Sequence, residues 1–178
     1  MISEQLKYPI GKFEKIGTVT EQQLAQYILD IETLPLKLKK QTEHLSDQQL
    51  DTPYRPEGWT IRQVVHHFAD SHMNSFIRFK LALTEDSPII KPYEEDLWVQ
   101  LADSKKMAIK SSLMMIEGIH ERWVFLLNSL TKSEFNKTFI HPQKEKPMDL
   151  YETTGLYAWH SNHHLAHIVN LKERMNWL

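Results

Sequence analysis

The sequence predicts an all-α fold, a four-helix bundle with a long crossover connection, on three observations. Only 5 glycines punctuate 178 residues, apolar residues recur every three or four positions, and four segments keep that period over several turns. The first helix takes Thr20 as its cap and Glu21 and Gln22 in its first turn, with Leu24, Tyr27, Ile28 and Ile31 on one face. Pro35 bends or interrupts it before the pattern resumes over 36–45. The second helix opens on Thr60-Ile61-Arg62-Gln63, a capping box in which hydroxyl and amide each satisfy an orphaned backbone N–H, and runs to about Leu83. Residues 84–103 hold Pro88 and Pro92 and read as a long connection with one short helical turn near 96–101. A connection of that length lets the third helix run parallel to the second. The third covers about 104–130, with Leu113, Ile116, Trp123 and Leu127 as core candidates, and the last about 153–176. A weak echo, Leu45-Ser46 with Leu50-Asp51 and Tyr54 against Leu130-Thr131 with Phe135-Asn136 and Phe139, leads each time into a histidine-bearing helix.

Composition narrows the class. A content of 41% hydrophobic and 25% charged residues over 178 suits one core, so a single domain spanning 1–178 is expected. The 21 lysines and arginines against 23 acidic residues leave a charge of −2, without the basic stripe that nucleic acid requires. Apolar runs such as 123–127 fall far short of the roughly 20 residues that span a bilayer. The opening MISEQLKYPIGKF lacks a basic segment followed by an apolar one, which points to a cytoplasmic protein. With no cysteine, a disulfide framework, a zinc knuckle and a thiol nucleophile are excluded, and any metal must be held by nitrogen and oxygen.

The densest chemistry is WHSNHHLAHI, residues 159–168, with four of the ten histidines. At about 100° per residue, Leu156, His160, His164, His167 and Leu171 fall within roughly 40° of one direction, flanked by Tyr157, Ile168 and Met175. The histidines therefore sit inside an apolar stripe and point inward. A divalent ion resolves the burial of several imidazoles, because it takes them neutral and supplies their electrostatic partner. His160-x-x-x-His164 sets two rings one turn apart, the spacing by which a helix grips such an ion. His163 with His167 has the same spacing at the stripe's edge, and core histidines bonded to carboxylates or water are the plainer alternative.

A third ligand should come from another helix, and VVHHFADSH offers His66, His67 and His72. On the second helix Gln63, His67, Asp70, Ser71, Asn74 and Arg78 fall within about 60° of His67's direction, while His66 and His72 fall elsewhere. This stripe is either a solvated face or a polar wall on a cavity, which would supply His67 as ligand and Asn74 or Arg78 as substrate contacts. His44, His120 and His141 read as surface or loop histidines. Methionines 107, 114 and 115 and tryptophans 98, 123 and 177 read as core or interface residues, and Trp59 as packing at the mouth of the bundle.

These residues carry a resemblance. Trp59-Thr60 at a helix start, His67 followed by Phe68-Ala69-Asp70, and the terminal His-x-x-His-His at 160, 163 and 164 resemble the DinB/YfiT superfamily of metalloenzymes. The strings GWTIRQVVHHFADSHMNSFIRFKLALTED, PYEED, HERW and GLYAWHSNHHLAHI, together with the N-terminal YPIG, resemble its YfiT group over nearly the whole chain. The resemblance implies a four-helix bundle of up-down-down-up order and one divalent ion, zinc or nickel, held by His67, His160 and His164. It further implies a homodimeric cytoplasmic protein.

Three protein ligands leave a coordination position open, which separates catalytic from structural zinc. Two chemistries follow. In one, bound water is deprotonated near neutral pH and attacks an ester, amide or similar electrophile, with His163, Asp70 or Glu57 as proton shuttle. In the other, a low-molecular-weight thiol is deprotonated by the metal without a strong protein base. The YfiT group resembles the bacillithiol S-transferases of low-GC Gram-positive bacteria, which favours the second, with Arg78 pairing a carboxylate of bacillithiol. A structural metal clip is the non-enzymatic reading, against which stands an apolar content sufficient to fold the bundle unaided.

Overall fold

The computed structural model describes residues 2–143 and 146–177. In chain order the elements are α1 (Ile2–Lys7), α2 (Glu21–Thr42), α3 (Asp47–Leu50), α4 (Ile61–Thr84), α5 (Glu95–Trp98), α6 (Ala102–Lys106), α7 (Lys110–Ser129), α8 (Lys132–Phe135), β1 (Thr138–Phe139), β2 (Met148–Asp149) and α9 (Leu150–Arg174). The long α2, α4, α7 and α9 form the bundle, and the two-residue antiparallel strands, which pair Thr138 with Asp149, merely close the loop before α9.

Contacts between helices fix the direction of each. Tyr27 meets Gly155, Asp30 accepts from Asn162 and Gln41 from Lys172, so α2 and α9 run parallel. His66 meets Ser112, His72 meets His120 and Phe79 meets Trp123, so α4 and α7 are also parallel. Between the two pairs the order reverses: Tyr157 lies against His72 and His164 against His67, while His120 of α7 reaches Ile31 of α2 and Lys132 just beyond α7 reaches Glu21. The bundle is therefore up-down-down-up, and the parallel α4–α7 step is what residues 85–109 provide. At Gly155 an added Cβ would stand 2.9 Å from the Tyr27 ring, so the glycine sets the close approach of α2 and α9.

Local signals explain most boundaries. Thr20 with Gln23, Ser46 with Gln49, Thr60 with Gln63 and Thr131 with Glu134 each close a capping box. Three expectations are corrected. Pro35 does not interrupt α2, which continues through it and ends at Thr42. The expected third helix over 104–130 is two helices, broken at Met107, whose extended backbone turns its carbonyl toward Arg62 Nη1 at 3.1 Å and His66 Nε2 at 3.1 Å. The last helix begins at Leu150, three residues before the expected start, because Asp149 caps it by accepting from the Glu152 N–H at 2.6 Å.

Two apolar clusters fill the bundle. One gathers Ile31, Phe76, Phe79, Trp123, Leu127, Leu150 and Tyr157, the other Leu34, Leu38, Val64, Phe68, Ile116, Ile168 and Leu171. Trp123 is fully buried as expected, whereas Met107, Met114, Met115 and Met175 are exposed, because each faces outward from the two clusters. Among the described residues no helix is long and apolar enough to cross a membrane.

Candidate metal centre

Between the clusters lies a layer of imidazoles. His67 comes from α4, and His160 and His164 from successive turns of α9; one nitrogen of each lies within 4.8 Å of the others. Nε2 of His67 and Nε2 of His160 stand 3.1 Å apart. Two nitrogens bound to one tetrahedral zinc at about 2.0–2.1 Å stand about 3.3 Å from each other, so the donor set fits such an ion.

Burial sets the charge of this layer. Desolvation holds His67 down at about 3 and holds His160 and His164 well below the usual imidazole range, with neighbouring imidazoles adding to the depression of the latter two. All three are neutral at pH 7, the state in which imidazole ligates metal. Trp59, just before the Thr60 cap of α4, packs over the pair formed by His67 and His164, with ring centroids 4.6 Å and 5.9 Å away.

The polar stripe of α4 is a wall of the interior and no solvated face: Gln63, His67 and Ser71 are buried, and Asp70, Asn74 and Arg78 partly so. Asp70 follows His67 by one turn, and its carboxyl is pushed up to about 6 by burial and, less, by Asp103. Asn74 donates back to the Asp70 carbonyl at 2.8 Å. Arg78 lies eleven residues beyond His67, about 16 Å along the helix at 1.5 Å per residue, out of reach of the histidine nitrogens. Glu57 is exposed, with positive φ in the turn before Trp59, and does not join the site. His163 is buried, stacked 4.4 Å from Trp159 and held at about 4 by desolvation.

His163, His164 and His167 converge within 4.8 Å as a second triad sharing His164. A neutral imidazole has one free lone pair, so the two triads compete for His164. His167 Nε2 lies 3.1 Å from the Lys7 carbonyl and can only donate there, while its Nδ1 faces Nδ1 of His164 at 3.3 Å. With His167 accepting at Nδ1, His164 keeps Nε2 free, which favours the triad His67, His160 and His164.

Several neighbours escaped the helical wheels. His120, expected at the surface, is buried at 1% exposure, because α7 turns it into the bundle to reach Ile31. His72, placed off the α4 stripe, is fully buried and bonds both His120 and His160, because α7 and α9 flank α4 on two sides. Tyr93, from the crossover, hydrogen bonds Ser71 beside Asp70 and Tyr157, and burial lifts its hydroxyl well above the usual tyrosine range. The N-terminal segment lies over the α9 histidines, through the Lys7 carbonyl on His167 and the Gly11 carbonyl on Trp159. Only His72 carried a signal, its place in VVHHFADSH; the other contacts join segments far apart in the chain.

Comparison with known proteins agrees with this architecture. Residues 32–168 match the family model described as the DinB superfamily. YfiT of Bacillus subtilis (strain 168), provisionally assigned by its name as a metal-dependent hydrolase, is 49% identical over 177 residues, covering 99% of both chains. A relative of the same provisional assignment from Bacillus mycoides (strain KBAB4) is 52% identical over 174 residues, covering 98% of this chain and 99% of its own. The solved structure of Bacillus subtilis YfiT, described as having an unusual four-helix bundle topology, superposes with a TM-score of 0.95 at 48% identity, covering 98% of this chain and 99% of that one. Near-complete coverage, shared topology and a matching family model together establish that this chain belongs to the DinB superfamily, in its YfiT group.

Proposed function

We propose that this protein is a divalent-metal-dependent enzyme whose mononuclear centre is formed by His67, His160 and His164. The observation that carries the reading is the convergence of three neutral imidazoles from two helices, His67 and His164 buried and His160 partly so, with Nε2 of His67 and His160 at 3.1 Å. Three neutral ligands leave the charge of a divalent ion undiminished and a coordination position open. When bound, a zinc or nickel ion lowers the pKa of a coordinated thiol or water.

Thiol transfer is the preferred chemistry, and bacillithiol the preferred thiol. Among the described residues the hydrogen bonds of the three rings go to other imidazoles and not to carboxylates, an environment suited to a reaction that needs no strong protein base. Trp59 shields the ligands on one side, and Arg78, too far for the reacting sulfur, lies where it can pair with a carboxylate at the far end of an extended thiol. Hydrolysis is the second reading, favoured by the provisional names of the relatives and by Asp70, whose carboxyl at about 6 can exchange protons near neutral pH. The YfiT resemblance also supports a cytoplasmic homodimer with small-molecule substrates.

The test is to load the protein with zinc or nickel and follow bacillithiol consumption with a chromogenic electrophile. Metal-dependent S-conjugation, lost on chelation and in His160→Ala, is the expected result. Metal-dependent ester cleavage without thiol consumption, reduced in Asp70→Asn, would move the assignment to hydrolysis. Absence of bound metal after loading would end both readings.

A further inference from the structure

Four contacts form one line across the bundle. The Ile31 carbonyl of α2 lies 2.6 Å from Nδ1 of His120, Nε2 of His120 lies 2.7 Å from Nδ1 of His72, and Nε2 of His72 lies 3.1 Å from Nδ1 of His160. The remaining nitrogen of His160, Nε2, faces His67 across the metal centre.

The direction of every hydrogen bond in this line follows from its first member. A carbonyl oxygen can only accept, so Nδ1 of His120 must carry the proton. A neutral ring has one N–H, which leaves Nε2 of His120 as acceptor and obliges Nδ1 of His72 to donate to it. The same step puts the next proton on Nδ1 of His160. His160 is thereby left with a lone pair on Nε2, the atom aimed into the centre. Reversing the His120–His72 and His72–His160 links would move the His160 proton to Nε2, where the metal must bind.

The line begins where it does because of a proline. In an unbroken helix the Ile31 carbonyl would accept from the N–H of residue 35, and residue 35 is proline, which has none. A carbonyl left open inside α2 is an acceptor that requires a partner when buried, and His120 supplies it.

We propose that His120 and His72 are positioning residues that fix His160 as the Nδ1–H tautomer, with the Pro35-freed carbonyl of Ile31 as the anchor that sets the order of the relay. The proposal rests on the assignment of His160 as a metal ligand. Orienting partners of ligating histidines are worth about 10- to 100-fold in metal affinity, which gives the scale of the effect.

Two measurements test it. The first is two-dimensional 15N NMR of the whole metal-free protein, which distinguishes Nδ1–H from Nε2–H in each ring. The expected spectrum has His120, His72 and His160 all as neutral Nδ1–H forms; an Nε2–H signal for His160 overturns the relay whether or not metal binds. The second is zinc affinity by chelator competition for His120→Phe and His120→Gln. The Gln amide can donate to Ile31 and accept from His72, so His120→Gln should bind within about threefold of the parent, and His120→Phe about 10- to 100-fold more weakly. Equal affinity in both variants, or equal loss in both, overturns the proposal. If His120→Phe does not fold, the spectrum of the parent protein decides. If the parent shows the predicted tautomers but takes up no zinc, the relay stands and the metal assignment falls.

Discussion

Single substitutions separate the three proposed ligand histidines from the fold. His67→Ala, His160→Ala and His164→Ala should each lose bound metal while keeping far-UV helicity, because the apolar clusters on either side of the layer remain intact. Metal retained at full stoichiometry in any one of them, measured by mass spectrometry, would remove that residue from the ligand set. Arg62 is the structural counterpart: buried at 3% exposure, it reaches Asp51 at 2.6 Å, Asp47 at 2.7 Å and the Met107 carbonyl at 3.1 Å. Both aspartates are solvent-exposed, so the ion pairs contribute modestly; the Met107 carbonyl keeps His66 as a partner at 3.1 Å, and Arg62→Leu should cost about 1–3 kcal/mol for the hydrogen bonds lost with the guanidinium. Urea melts check this, with metal stoichiometry unchanged. The convergence of His160 and His164 was legible in the sequence because helical spacing places them on one face. His72 and His120 were not, since a wheel gives a direction on one helix and says nothing of which helices stand on its other sides.

Helix boundaries were legible where side chains close their own caps, as Thr60 with Gln63 does, and obscure where tertiary contacts override them. The break at Met107 is held by Arg62 and His66 of α4, partners more than forty positions away. Pro35 illustrates the same limit within α2. Its sequence reading is a bend or a stop, yet the helix continues because the carbonyl it strands finds His120. An interior proline costs a helix on the order of 3 kcal/mol, so Pro35→Ala should stabilise the metal-free protein. A realised gain of about 1–2 kcal/mol would raise the melting midpoint by several degrees. The restored N–H would then share the Ile31 carbonyl with His120, and zinc affinity should fall a few-fold, less than in His120→Phe because a carbonyl has two lone pairs. Higher stability with unchanged affinity would confine Pro35 to the backbone of α2.

Across the whole molecule, the buried imidazoles tie acid stability to the layer they form between the helices. The parallel step from α4 to α7 was legible from the length of the crossover; that its consequence is to surround His72 on two sides was not. Burial holds His67 and His167 at about 3 and His120 and His163 at about 4 in the folded chain, against about 6.5 when unfolded. Between those limits the unfolded chain binds more protons than the folded one, so stability rises with pH through the window and is lost as pH falls below about 6.5. The metal-free protein should therefore be folded at pH 7 and markedly less stable at pH 5, by thermal melts at the two values. Protons compete poorly for rings that burial holds well below the usual imidazole range while the fold persists. On acid titration of the zinc-loaded protein, metal release should accordingly coincide with the loss of helicity. Release near pH 6 with circular dichroism unchanged would mean that the ligand rings titrate as exposed imidazoles do, and that the layer is open to water in the folded state.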